Sequence, residues 1–219
     1  MKKKIVILGS TGTIGKNLVN ILKKDKKNFD VCLLSANKNI IEILKQIKIF
    51  NVKNIVVTNY QKFLQIKEIL NKKNINIFNN FDSINKIFNK KKIDYVMSSI
   101  SGIEGLEPTV KIIKFTKKIA IANKESIICG WPLIKKELLK NKTKFIPIDS
   151  EHYSIYSLIG KSKNVNIEKV FLTASGGPFN NYPLNKFKSI TLKSALNHPN
   201  WKMGKKITID SATMMNKVF

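Results

Sequence analysis

The amino-acid sequence predicts an α/β chain, a doubly wound parallel sheet followed by the start of an α+β domain. Short apolar, β-rich runs alternate with helical patterns along the first two-thirds. The runs are nearly continuously apolar, as strands covered on both faces require. From Asp149 onward the alternation is lost. A first domain over 1–148 and a second over 149–219 follow from that change.

The elements are justified in order. Residues 5–8, 31–34, 54–58, 93–97, 118–122 and 145–148 read as strands. Pro147 lacks a ladder donor, which places it at a strand end or on an edge. Residues 14–24, 40–50, 60–71, 82–88 and 107–115 read as the helical crossovers, the last with Pro108 in its first turn. The Asn/Lys-rich stretch 72–92 reads as compositionally biased surface rather than a linker.

The formal charge is +26, from 40 basic and 14 acidic residues. Such a charge invites a nucleic-acid reading, but every basic residue is Lys and none is Arg, the side chain suited to bidentate phosphate and guanine contacts. Abundant Lys, Asn and Ile share A/T-rich codons, so base bias accounts for the composition and no nucleic-acid partner is expected. Cys32 and Cys129 are isolated and read as reduced, buried residues. The apolar run of the N-terminus breaks at Gly9, too early for a signal-peptide core or a membrane span. A cytoplasmic protein with no membrane partner is the expectation.

Gly9, Gly12 and Gly15 follow the first strand at a spacing of three and open a helix. Glycines there let a backbone approach a pyrophosphate, and the helix N-terminus supplies N–H groups. The second strand runs into Ser35-Ala36-Asn37-Lys38-Asn39 without the acidic residue that an NAD ribose requires, so Lys38 suits the 2′-phosphate of NADP unless it is one more Lys of a Lys-rich chain. Asp149-Ser150-Glu151-His152 follows a strand. Its carboxylates can converge on a hard divalent cation, or Asp149 or Ser150 can cap a helix. Thr173-Ala174-Ser175-Gly176-Gly177-Pro178 follows an apolar strand, and with Ser211, Asn216 and Lys217 it offers groups suited to a phosphate monoester.

Taken together, GSTGTIG at 9–15, ANKES at 122–126, DSEH at 149–152, SGGPF at 175–179, HPNWKMG at 198–204 and DSATMMNK at 210–217 resemble the 1-deoxy-D-xylulose 5-phosphate reductoisomerase family. The resemblance implies a Rossmann-like NADP-binding domain and a partial catalytic domain. It implies NADPH- and Mn- or Mg-dependent conversion of 1-deoxy-D-xylulose 5-phosphate to 2-C-methyl-D-erythritol 4-phosphate, a step toward isoprenoids. By resemblance, Thr11, Gly12, Thr13 and Ile14, with Lys38, Asn39, Asn123, Glu125 and Gly204, contact NADPH. Asp149 and Glu151 hold the metal. Lys124, Ser150, Glu151, Ser175, His198, Ser211, Asn216 and Lys217 contact the substrate, with Lys124, Asp149, Glu151 and His198 as the catalytic set. Trp201 and Met203 belong to a closing loop. Asn37 departs from the Gly common in the family. The pattern also implies a further metal-binding Glu immediately after Phe219, the rest of the catalytic domain and a C-terminal helical domain. The expectation is therefore a homodimer at full length and a weak or inactive chain over 1–219, whose alternative role is that of a noncatalytic NADP-binding fragment.

Overall fold

The structure, a computed structural model, describes residues 1–89, 92–160 and 166–218. Its backbone falls into two compact units, Met1–Leu158 and Ile159–Phe219.

The first unit is a seven-stranded parallel sheet. The strands are β1 (Lys3–Leu8), β2 (Phe29–Ala36), β3 (Asn54–Val57), β4 (Asn76–Phe78), β5 (Ile93–Ser98), β6 (Thr116–Ile121) and β7 (Lys144–Pro147). Their order is β4-β3-β2-β1-β5-β6-β7. The chain winds outward from β1 to β4, then returns to lay β5 against the other side of β1, pairing Ile5 with Tyr95 and Leu8 with Ser98. The reversal leaves a crevice at the carboxyl ends of β1 and β5, the position where such sheets take ligands.

Side-chain alternation along β1 sorts two cores. Ile5 and Ile7 face one core with Val19, Leu22, Ile43 and Ile66. Val6 and Leu8 face the other with Ile84, Ile112, Ile119 and Ile134. Helices α1 (Thr13–Lys24), α2 (Ile40–Phe50) and α3 (Tyr60–Ile69) cover the first face, and α4 (Ser83–Phe88), α5 (Leu106–Ile113) and α6 (Lys124–Asn141) the second. Burial of residues such as Ile7, Leu8 and Ile43, each without solvent exposure, contributes about 1.5–3 kcal/mol apiece. The pairing of β1 with β2 slips between Ile5 and Val6, so Cys32 is the unpaired extra residue.

Asparagines start three of these helices. Asn39, Asn59 and Asn123 accept from Glu42 N, Lys62 N and Ser126 N, capping α2, α3 and α6. Asn51 and Lys142 end α2 and α6 in the left-handed conformation.

Two differences from the sequence reading stand out, and one expectation is met. A seventh strand, β4, lies in the 72–92 stretch that reads as surface, pairing Ile77 with Ile55; three residues between Lys/Asn tracts carry too little pattern to reveal an edge strand. Helix α6 is missing from the predicted set, because Pro132 inside it removes one backbone donor. Its cap and the buried Ile134 and Leu138 hold it nonetheless. Pro147 closes β7 on the sheet edge, as a residue without a donor requires.

The second unit contains two 3₁₀ segments, Gly177–Phe179 and Leu184–Ser189, and the helices α8 (Leu192–Ala195), α9 (Lys205–Ala212) and α10 (Met215–Val218). Helix α7 (Ser150–Ile159) precedes it in the chain. The apolar run before Ser175 reads as a strand but finds no ladder partner among the described residues, and Val170, Phe171 and Leu172 are exposed. A strand requires a neighbour for its alternate N–H and C=O groups.

Candidate active site

The glycine turn connects β1 to α1. Gly9 has φ +78°, and a Cβ there would lie 2.7 Å from Ser99 O, so β5 and its loop close directly on the turn. A Cβ on Gly15 would collide with the carbonyl of Gly9 and lie 2.6 Å from Ser10 Cα, so the first turn of α1 packs on the loop only without a side chain. Gly12 is different: its nearest neighbour would be Gly9 O at 3.5 Å, an ordinary contact. Nothing in the chain demands a glycine at 12, and it borders the open face of the turn.

Several groups of the turn are engaged internally. Gly9 N donates to Ser35 Oγ at 2.8 Å, Ser10 N to Ser35 O at 2.8 Å and Gly12 N to Gly9 O at 3.2 Å. Among the described residues the N–H groups of Thr11, Thr13, Ile14 and Gly15 donate to no protein acceptor. Gly12, the N-cap of α1, provides no side-chain cap. Four donors at the positive end of a helix are therefore left to an outside acceptor, the arrangement that receives a phosphate anion.

At the end of β2, Lys38 is exposed beside this turn. Asn39 is engaged as the cap of α2 through its side-chain oxygen. Asn123 is more fully occupied: its Oδ1 accepts from Ser126 N, and its Nδ2 donates to Ile100 O and Gly102 O. Its side chain ties the loop after β5 to the start of α6. Glu125 is half-buried in the first turn of α6.

Lys124, the first residue of α6, reaches across to the end of β7. Its Nζ lies 3.1 Å from Glu151 Oε2 and 3.9 Å from Asp149 Oδ1, with side chains 21%, 17% and 7% exposed respectively. Two largely buried carboxylates repel each other unless a cation lies between them, and the Lys124 ammonium occupies that role. Ser150 Oγ adds a hydrogen bond to Glu151 Oε2 at 2.8 Å. The cap alternative for Asp149 is also real: its Oδ1 accepts from His152 N at 3.0 Å and contacts His152 Nδ1 at 2.7 Å. Asp149 Oδ2 has no hydrogen bond among the described residues. The donors are hard oxygens, the set that suits Mg or Mn. No cluster of three or more His, Cys, Asp or Glu side chains suited to a metal occurs among the described residues, so this pair is a partial shell that other oxygens would complete.

The second unit brings together Ser175, His198 and Ser211, distant in sequence. Ser175 Oγ lies 3.0 Å from His198 Nε2 and 2.9 Å from Ser211 Oγ. The N–H groups of Asn200 and Trp201 donate to His198 Nδ1 at 3.1 and 3.2 Å. An Nδ1 that accepts two donors carries no proton, so the neutral ring holds its proton on Nε2 and donates it to Ser175. Ser175 can then donate to Ser211, which leaves the Ser211 hydroxyl proton for an outside acceptor. The Trp201 ring stacks on His198, 5.3 Å between centroids and 13° from parallel, so the 198–201 segment folds on its own histidine. Ser175 also borders a cleft lined by Asn180, Tyr182, Asn197 and Asn200. Gly204 caps α9 with open space where a side chain would project. Met203 is half-buried, and its carbonyl accepts from Thr208 Oγ1 at 3.5 Å. Lys217 lies on α10; the side chain of Asn216 lies outside the described residues.

Sequence reasoning missed Ser35 and Gln46, both buried beneath the glycine turn. Gln46 had a visible signal, a polar residue beside Ile43 and Ile47 on the inward stripe of α2.

A profile of 1-deoxy-D-xylulose 5-phosphate reductoisomerase matches residues 5–130, and the profile of its C-terminal domain matches 145–219. The chain belongs to the 1-deoxy-D-xylulose 5-phosphate reductoisomerase family. The reductoisomerase of Pelagibacter ubique is 62% identical over 218 residues, covering 99% of this chain and 56% of that protein. That of Clostridium kluyveri is 43% identical, covering 98% and 56%. The Zymomonas mobilis reductoisomerase, solved in complex with NADPH, superposes with a TM-score of 0.87 at 30% identity, covering 99% of this chain and 56% of that one. A reductoisomerase solved with NADPH, fosmidomycin and magnesium gives 0.84 at 30% identity, covering 98% and 55%. The chain thus spans about half the length of the reductoisomerases it matches. No helix among the described residues is long and apolar enough to cross a membrane.

Proposed function

We propose that this chain is the cofactor-binding and metal-binding part of a reductoisomerase that converts 1-deoxy-D-xylulose 5-phosphate to 2-C-methyl-D-erythritol 4-phosphate. The observation that carries the reading is the placement of a lysine-bridged carboxylate pair on the same carboxyl edge of one sheet as a glycine turn with four N–H groups that meet no acceptor among the described residues. NADPH and magnesium, which relatives hold, suit these two places. Residues 1–148 are assigned to NADPH binding and 149–219 to the first part of the catalytic domain.

In this reading the N–H groups of Thr11, Thr13, Ile14 and Gly15 receive the pyrophosphate, and Lys38 receives the 2′-phosphate. Asn39 and Asn123 act by fixing the helix starts beside the cofactor, and Glu125 and Gly204 complete its surroundings. Asp149 and Glu151 hold the cation. When bound, the cation would polarise the substrate carbonyl and NADPH would supply the hydride. Lys124 orients both carboxylates and stabilises negative charge beside them, with Ser150 fixing Glu151. Ser175, His198, Ser211, Asn216 and Lys217 bind the phosphate monoester, the histidine through its Nε2–H. Remote binding of the phosphate lowers the barrier at the reacting carbons, and closure of the Trp201–Met203 loop excludes water. The partner is a small phosphorylated sugar rather than nucleic acid or membrane, and the place of action is the cytoplasm of a cell that runs the full-length enzyme as a homodimer.

NADPH oxidation with 1-deoxy-D-xylulose 5-phosphate and Mn or Mg, followed by loss of the reduced nicotinamide's absorbance, tests the proposal on this chain beside a version extended to the length of its relatives. Turnover is expected from the extended protein; its absence there overturns the proposal. The span of about half of each relative favours a second reading for residues 1–219 alone, NADPH binding without turnover.

A further inference from the structure

Ser10 sits at the centre of the glycine turn with no solvent exposure. All three of its polar groups are held. Its N–H and its hydroxyl both donate to Ser35 O, at 2.8 and 3.2 Å. Its carbonyl accepts from Gln46 Nε2 at 3.0 Å, across 36 residues of chain. The same nitrogen donates to Glu42 Oε1 at 3.0 Å. Both neighbours are pure acceptors, so the amide can stand only with its nitrogen toward them.

Gln46 is itself fully buried, and its Oε1 has no partner among the described residues. An apolar side chain of the same shape, flanked as here by Ile43 and Ile47, would leave no such orphan. What the amide provides is the hold on the Ser10 carbonyl. In a planar trans peptide the carbonyl and the following N–H point in opposite directions. Drawing the Ser10 carbonyl inward therefore aims the Thr11 N–H outward, and it also removes a negative dipole end from the face that would meet phosphate.

We propose that Gln46 is a positioning residue for the pyrophosphate turn, fixing the peptide between Ser10 and Thr11 so that its N–H faces the cofactor. The inference rests on the NADPH reading above. Binding of NADPH and of 2′-AMP, which lacks the pyrophosphate, is measured for the chain and for Gln46→Met, at a temperature well below either melting point. NADPH affinity is expected to fall about five- to tenfold in the variant, the loss of roughly one hydrogen bond's orientation, while 2′-AMP affinity stays within about twofold. Equal NADPH affinity in variant and parent, or equal weakening of both ligands, overturns the inference. Gln46→Leu, smaller than methionine and equally free of polar atoms to leave buried, serves if methionine does not fold. It too is expected to weaken NADPH and spare 2′-AMP; equal effects on the two ligands again count against the role. If the parent chain binds 2′-AMP and NADPH not at all, the cofactor reading falls first and the Gln46 role with it.

Discussion

Gly12 and Gly15 lie three residues apart in one turn, yet alanine at the two positions is expected to fail in opposite ways. At Gly15 the added carbon would meet backbone only, the Gly9 carbonyl and Ser10 Cα at 2.6 Å. Carbon pairs settle near 3.5–4.0 Å, so the overlap is about 1 Å against atoms that cannot rotate away. Overpacking of that kind costs about 1–3 kcal/mol, and a chain of this size loses about 2–4 °C of Tm per kcal/mol. At Gly12 the carbon would find its nearest neighbour at 3.5 Å, and the backbone, at φ −77° and ψ 172°, suits any L-residue. Reduced freedom of the unfolded chain favours alanine there by about 0.4–1 kcal/mol, and alanine's poor capping offsets a similar amount. Tm should stay within about 3 °C for Gly12→Ala. The new methyl would instead stand where a phosphate must approach the Thr13, Ile14 and Gly15 amides, so NADPH affinity should fall at least about tenfold, or 1.4 kcal/mol. Differential scanning fluorimetry and NADPH fluorescence on the same preparations read both quantities. A Gly12→Ala chain that binds NADPH like its parent, or a Gly15→Ala chain that melts with it, would refute the division of roles.

Asp149→Asn keeps an oxygen to accept from His152 N but removes a charged ligand, so Mn affinity followed by electron paramagnetic resonance should drop about tenfold or more with the fold intact; unchanged affinity would exclude Asp149 as a ligand. His198→Asn keeps an acceptor where Nδ1 stands and loses the donor to Ser175, so Tm should hold within a few degrees, at about 2–4 °C per kcal/mol, while affinity for a phosphate monoester falls about three- to tenfold. Loss of both together would show that the histidine supports only the loop. Burial, reinforced by neighbouring Asp30, pushes the Cys32 thiol from 9.0 up to about 12, whereas Cys129 is exposed. Iodoacetamide at pH 8 should label Cys129 and leave Cys32 until the chain unfolds. Because the folded thiol keeps its proton longer than the unfolded one, this group's contribution to stability is constant below pH 9 and declines between 9 and 12; denaturant melts across that range, compared with those of Cys32→Ala, measure it.

Strands with near-continuous apolar runs were legible because burial on both sheet faces leaves a contiguous signature; residues 5–8 needed nothing more, and 93–97 kept it despite Asp94. Helix α6 was not: a proline at its middle contradicts the local pattern, and the burial of Ile134 and Leu138 that overrides it is tertiary. The glycine turn could be placed by spacing, but spacing alone does not say which glycine serves packing and which borders open space; that division comes from Ser99 and Ser10, one of them brought in by a strand 90 residues away. Asp149 shows a deeper limit. Cap and ligand compete as readings of DSEH, and the structure shows that one carboxyl can serve the cap through one oxygen and leave the other available. Residues that position others, Ser35 and Gln46 among them, carry no motif.

The strand order also sets a schedule for synthesis. β1 is made before its partners: its neighbour on one side, β2, follows within about thirty residues, but β5 pairs with it only once Tyr95 is available, 90 residues after Ile5. At ribosomal speeds of about 5–20 residues per second, the β5-facing edge of β1 waits roughly 5–18 s without its partner. Through that interval the nascent chain exposes a run of four apolar residues, Ile5 to Leu8, as an unpaired strand edge, the feature most prone to self-association. Three consecutive lysines stand directly before it. Repulsion between copies of that basic segment opposes edge-to-edge pairing while the sheet is incomplete.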